Sequence, residues 1–133
     1  MAPQTPVTIL LIDDEPGFVR ALALLLRRDG YTIDTADNGN RALALLQERC
    51  YDVLLCDLRM PDLDGPAFYT ILTRQDSYLC QRVIFLTGDT LSAASVAFLG
   101  QCGQPWVPKP CHAAAVRHAI EHMLRATYRG ACA

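Results

Sequence analysis

Val7-Thr8-Ile9-Leu10-Leu11-Ile12-Asp13-Asp14-Glu15-Pro16 is the stretch from which the fold can be read. Its first six residues are apolar except for one threonine, and they do not alternate with polar ones. That pattern predicts a strand buried on both faces, as in a parallel sheet covered by helices. Three carboxylates then end the run, and Pro16 opens a helix at a position where the missing amide proton needs no intrahelical partner.

Outward from this stretch the same unit recurs. The first helix carries Phe18, Leu22, Leu25 and Leu26 as an apolar stripe, with Gly30 beyond its end. Thr32 to Ala36 reads as a second strand, and Asn38-Gly39 turns into a helix with Ala42, Leu45 and Leu46. Asp52 to Asp57 contains the third strand, Val53-Leu54-Leu55-Cys56. Beyond Pro61 and Gly65 lies a helix with Phe68, Ile71 and Leu72. Arg82 to Leu86 is the fourth strand, and a helix from about Leu91 to Gln101 follows, with Ser92 as its N-cap. Trp106-Val107 is a short fifth strand. The last helix covers roughly Ala113 to Thr127, with Val116, Ile120, Met123 and Leu124 inward. Alternating strands and helices predict a doubly wound α/β domain around a parallel five-stranded sheet. Periodicity leaves the strand order open. The expected boundaries are an extension at residues 1–6, a domain at 7–127 and a tail at 128–133.

The chain has 133 residues, 51% hydrophobic and 20% charged, with a net charge of −2. One globular domain is expected. Direct nucleic-acid binding is not, because basic residues are not in excess. The start, Met1 to Pro6, lacks the basic and apolar regions of a signal peptide, and no apolar run reaches the length of a membrane span. A cytoplasmic setting without membrane contact is the expectation. The six cysteines (50, 56, 80, 102, 111 and 132) include no C-x-x-C pair and read as free thiols, Cys56 within an apolar strand. Lys109 is the single lysine beside eleven arginines, which suggests a need for a compact ammonium.

Function in an open α/β sheet gathers at the carboxyl ends of the strands. Here those ends carry Asp13-Asp14-Glu15, Asp57, Thr87-Gly88-Asp89 and Lys109-Pro110. Taken singly each has a bland reading: a helix cap, a loop, a surface charge. Together they put carboxylates, a hydroxyl and an ammonium on one rim. Converging carboxylates repel, and a hard divalent cation with oxygen ligands, Mg²⁺ above all, relieves that repulsion. Aspartate is a competent nucleophile for phosphorus, and the ammonium and hydroxyl suit phosphoryl oxygens. His118 and His122, four apart on the last helix, read as exposed polar residues and not as a metal pair.

These residues resemble the receiver domain of bacterial response regulators in two-component signalling. The resemblance runs through Asp13-Asp14-Glu15, Asp57-Leu58-Arg59-Met60-Pro61 with Gly65, Thr87-Gly88 and Lys109-Pro110, and covers nearly the whole chain. It implies a flavodoxin-like (βα)₅ fold with strand order 2-1-3-4-5. It also implies Asp57 as phosphoacceptor. Mg²⁺, or Mn²⁺ in its place, would sit on Asp14, Asp57 and the backbone carbonyl of Arg59, with Asp13 acting through water. Thr87 matches the switch hydroxyl beside Gly88, Lys109 the phosphate-binding ammonium, and Trp106 the aromatic that turns inward with Thr87. A cis bond before Pro110 would help aim Lys109. Arg59 and Asp89 occupy the positions that tune phosphoryl lifetime in the family, and their opposite charges suggest a pair across the site.

The implied partners are a sensor histidine kinase or histidine phosphotransfer protein, and an output protein on the face of the fourth helix, fifth strand and fifth helix. Pairing of two copies is compatible with the family. Asp64-Gly65-Pro66-Ala67, Thr87 to Ser92 and Gly103 to Pro110 are most similar to receivers of hybrid histidine kinases, so the chain is expected to be a single-domain regulator or the cytoplasmic part of such a kinase. Three residues depart from the common pattern: Trp106 where Tyr or Phe is usual, Cys111 in place of Phe, and Pro66 opening a helix. A dehalogenase-type phosphatase would need a second Asp where Arg59 stands. Only 23 residues follow Pro110, too few for a DNA-binding module. The remaining rival is a degenerate receiver acting as a phosphorylation-independent interaction module. In either case no turnover enzyme is expected.

Overall fold

The computed structural model describes residues 6–88 and 92–126. Asp89, Leu91, Thr127, Cys132 and nearly all of both expected flanking segments lie outside the described residues. Five strands, β1 (Thr8–Ile12), β2 (Thr32–Ala36), β3 (Val53–Asp57), β4 (Val83–Thr87) and β5 (Trp106–Pro108), form one sheet. All neighbours are parallel, in the order β2-β1-β3-β4-β5. The helices are α1 (Pro16–Arg28), α2 (Gly39–Glu48), α3 (Gly65–Gln75), α4 (Ala93–Cys102) and α5 (Ala113–Ala126).

Successive strand side chains point to opposite faces, so a strand covered on both sides must be apolar throughout. In β1, Ile9 and Leu11 pack toward α1 and α5, while Leu10 and Ile12 join the core under α2, α3 and α4. Three helices begin on capping side chains. Asn38, Asp64 and Ser92 accept from the amides of Arg41, Ala67 and Ser95, satisfying donors that the first turn leaves open. At the end of α1, Gly30 takes φ 98°, and Tyr31 N–H reaches back to the Leu26 carbonyl at 3.2 Å. A glycine past the last turn meets that geometry without a Cβ clash.

Two details differ from the sequence reading. Leu25 is 41% exposed, and Ala23 takes its place beside Leu22 and Leu26. At about 100° per residue, Leu25 is rotated well off the stripe that Ala23 shares. Between α3 and β4 lies an unforeseen 3₁₀ turn, Leu79–Arg82. Arg82 belongs to this turn and not to the strand. It is buried, with its guanidinium 5.0 Å from the Tyr78 ring centroid and its Nε donating to the Tyr78 hydroxyl at 3.0 Å. At the sheet margin, the Arg27 guanidinium donates to the Ile33 carbonyl of β2 at 2.8 Å.

Candidate functional site

Because every strand runs the same way, all five carboxyl ends meet on one rim. The residue after β1 is Asp13, the last residue of β3 is Asp57, the last of β4 is Thr87, and Lys109 follows β5. Adjacent pairing of β1, β3 and β4 sets the first three side by side. Carboxylate oxygens of Asp13, Asp14 and Asp57 all lie within 4.8 Å of one another, with Asp13 and Asp57 buried and Asp14 exposed. A cavity of about 320 Å³ opens here, bounded by Asp14, Asp57, Arg59, Thr87, Gly88 and Lys109 among others.

Lys109 is the positive centre of the rim. Its Nζ is 2.6 Å from Asp13 Oδ2, 3.0 Å from Glu15 Oε1 and 3.7 Å from Asp57 Oδ2. The other Asp13 oxygen accepts from the Glu15 amide at 2.9 Å. Burial alone would lower the lysine's pKa, but the bonds to Asp13 and Glu15 outweigh it and hold the ammonium above its usual value. Burial pushes the Asp57 carboxyl up to about 6, assisted by the Asp13 charge and opposed by Lys109 and the Arg59 amide. Asp13 is raised as well, chiefly by burial and against the pull of Lys109. This site therefore carries more negative charge than its one ammonium balances. That imbalance, and a donor set made of oxygen, fits a hard divalent cation on Asp14, Asp57, Asp13 and the Arg59 carbonyl.

Thr87 is 1% exposed, and its Oγ1 has no hydrogen-bond partner among the described residues. An unmet buried hydroxyl costs free energy, so an oxygen-rich group entering the cavity would find a ready donor. Gly88 stands where a Cβ would come within 3.2 Å of Lys109 Cδ, leaving the lysine stem room to lie along the strand end.

The loop after Asp57 is tightly folded. Asp62 has φ 67°, and Leu63 N–H bonds to the Pro61 carbonyl at 2.8 Å, a γ-turn that few residues other than glycine adopt. A Cβ on Gly65 would lie 2.6 Å from the Asp57 carbonyl oxygen and 2.8 Å from Leu58 Cα. Glycine at 65 thus lets α3 start directly behind the acid.

Asp13, Asp14, Asp57, Arg59, Thr87, Gly88 and Lys109 are brought to one place, and the Lys109–Pro110 peptide is cis. Asp89 lies outside the described residues, so its pairing with Arg59 has no structural description. Trp106 is on the outer strand, 40% exposed. His118 and His122 are exposed on α5, away from this rim. Sequence reading missed the parts of Glu15, Phe18 and Ser95. Glu15 contacts Lys109, the Phe18 ring centroid lies 4.3 Å from its Nζ, and Ser95 lines the cavity. Phe18 was counted only as part of the α1 stripe. Its place in the first turn, just after the acidic run, was the available clue.

A family model described as the response regulator receiver domain matches residues 9–121. The transcriptional regulatory protein GlrR of Escherichia coli is 31% identical over 119 residues, covering 90% of this chain and 26% of the relative. The probable transcriptional regulatory protein TcrX of Mycobacterium tuberculosis is 31% identical over 122 residues, covering 92% of this chain and 51% of the relative. Among solved structures, the receiver domain of a signal transduction histidine kinase from Syntrophus aciditrophicus superposes with TM-score 0.82 at 27% identity, over 93% of this chain and 94% of that one. The chemotaxis protein CheY4 of Vibrio cholerae gives 0.81 at 26%, over 90% and 100%. The chain belongs to the response regulator receiver domain family. It spans about a quarter to a half of the length of these two regulators. No helix among the described residues is long and apolar enough to cross a membrane.

Proposed function

We propose that this chain is the phosphoacceptor of a two-component or phosphorelay system, with Asp57 as the acceptor. The observation that carries this reading is the convergence on one cavity of the buried Asp57 carboxylate, the Lys109 ammonium and the Thr87 hydroxyl, which has no hydrogen-bond partner among the described residues. An Asp57 oxygen attacks the phosphorus of a phosphohistidine on a sensor kinase or phosphotransfer protein. The new P–O bond forms as the P–N bond breaks, and the leaving ring nitrogen takes up a proton. Asp14, Asp57 and the Arg59 carbonyl, with Asp13 through water, would hold Mg²⁺ or Mn²⁺, which would supply neutralising charge for the phosphoryl oxygens. Lys109 and Thr87 hold the transferred oxygens. Trp106 follows Thr87 inward and changes the α4-β5-α5 surface offered to an output protein. The chain serves as a cytoplasmic single-domain regulator or as the receiver of a hybrid histidine kinase. Likeness to a histidine-kinase receiver supports the second.

Intact mass after incubation with acetyl phosphate and Mg²⁺ tests the acceptor. One added phosphoryl group is expected for the wild type, and none for Asp57→Ala or without metal, with Trp106 fluorescence changing in parallel. A protein that takes up neither phosphoryl nor beryllofluoride would make a phosphorylation-independent interaction module the better account.

A further inference from the structure

We infer that Glu15 and Phe18 clamp the Lys109 ammonium, and that an arriving phosphoryl group must open this clamp on the Glu15 side. The inference rests on Asp57 being the acceptor, and it names two positioning residues that set how tightly the site holds phosphoryl oxygen.

An ammonium has three protons to donate. One is given to Glu15 Oε1 at 3.0 Å, while Asp13 Oδ2, at 2.6 Å, pairs with the ammonium by charge and has no hydrogen bond of its own among the described residues. Phe18 presents its ring 4.3 Å from Nζ, inside the range of cation–π attraction. Asp57 Oδ2, at 3.7 Å, is beyond hydrogen-bond distance. Lys109 is thus engaged before any phosphoryl group arrives, although its side chain is only 8% exposed. A phosphoryl group on Asp57 would bring strong acceptor oxygens, and one existing contact has to yield.

The two carboxylates differ in how easily they can let go. The Asp13 side chain is fully buried, and its other oxygen is fixed by the Glu15 amide. Released from Lys109, it would be a buried charge without its ion-pair partner. The Glu15 side chain is 63% exposed and would return to water at little cost. Glu15 is therefore the contact that exchanges. Phe18 closes one side of the ammonium, so that the head stays at the rim instead of following Glu15 outward. Glu15 thus competes with the phosphoryl group, and Phe18 favours it.

Lys109 is the only lysine of the chain, so protein labelled with ¹³C,¹⁵N-lysine gives one lysine spin system by NMR. Its ε-methylene protons are expected upfield of the ordinary lysine position through the Phe18 ring current, and Phe18→Leu abolishes that displacement. Beryllofluoride with Mg²⁺ is then titrated against the full chain. Glu15→Gln is expected to bind about twofold to fivefold more tightly, the range set by loss of one partly exposed ion pair. Phe18→Leu is expected to bind more weakly, with Phe18→Tyr restoring wild-type affinity. Equal or weaker binding by Glu15→Gln, or an unshifted wild-type lysine signal, would overturn the clamp while leaving the acceptor intact. A wild type that ignores beryllofluoride removes the acceptor reading and the clamp with it.

Discussion

Asp57 is a carboxyl placed where its ionised form is under strain, since burial and the neighbouring Asp13 raise it from 3.8 to about 6. Between those two values the folded protein keeps a proton that the unfolded chain has released. Stability from this residue is complete below the lower value and is lost as pH rises through the higher one. A displacement of that size corresponds to roughly 3 kcal/mol at most. In urea denaturation of the metal-free protein, the stability of wild type relative to Asp57→Asn is expected to fall as pH rises from 4 to 7, by on the order of 2 kcal/mol. A divalent cation such as Mg²⁺ would bind the ionised form, so saturating metal is expected to recover stability at pH 7 and do little at pH 4. A pH-independent difference would mean that Asp57 is better solvated than its surroundings imply.

Among the elements, the loop between β3 and α3 makes the firmest demands on its residues. Position 65 has backbone on two sides, and backbone cannot swing away as the end of a side chain can. Gly65→Ala is expected to destabilise the fold by about 1–3 kcal/mol, read as a lower denaturation midpoint. Gly17 serves as the control, since a Cβ there meets nothing within 4 Å; Gly17→Ala is expected to be neutral or slightly stabilising. Much at this scale was legible beforehand. The uninterrupted apolar runs marked the strands, and Ser92 was readable as a cap. The acids, Thr87 and Lys109 could be placed because a parallel sheet puts every strand end on the same rim. The positions of Glu15 and Phe18 against Lys109 could not be read, since these contacts join distant parts of the chain, 94 residues apart for Glu15, and depend on side-chain reach. The 3₁₀ turn before β4 was equally hidden. It is organised by the Asp76 carboxylate, which accepts from the amides of Tyr78 and Leu79, and has no apolar period to announce it.

At the scale of the whole molecule, two cores share one sheet. Its central strands, β1, β3 and β4, are buried almost throughout, which anchors the rim from below while the loops above it carry the chemistry. Periodicity showed that such a sheet must exist, but the order of its strands followed only from likeness to receivers, because apolar runs of similar length are interchangeable. The edge strand β2 has a different problem. Thr32 N–H bonds to the carbonyl of Val7, just before β1, so the next residue, Ile33, turns its peptide groups away from the sheet. An uncovered row of that kind is a template on which a second chain can crystallise into a longer sheet. Arg27, reaching over from α1, occupies the Ile33 carbonyl with a charged, hydrated group. Arg27→Ala is expected to keep its far-ultraviolet circular dichroism, yet to raise light scattering more steeply with concentration than the wild type does. On this view one arginine at the margin of the sheet fixes how crowded a solution this domain can tolerate before its copies begin to polymerise edge to edge.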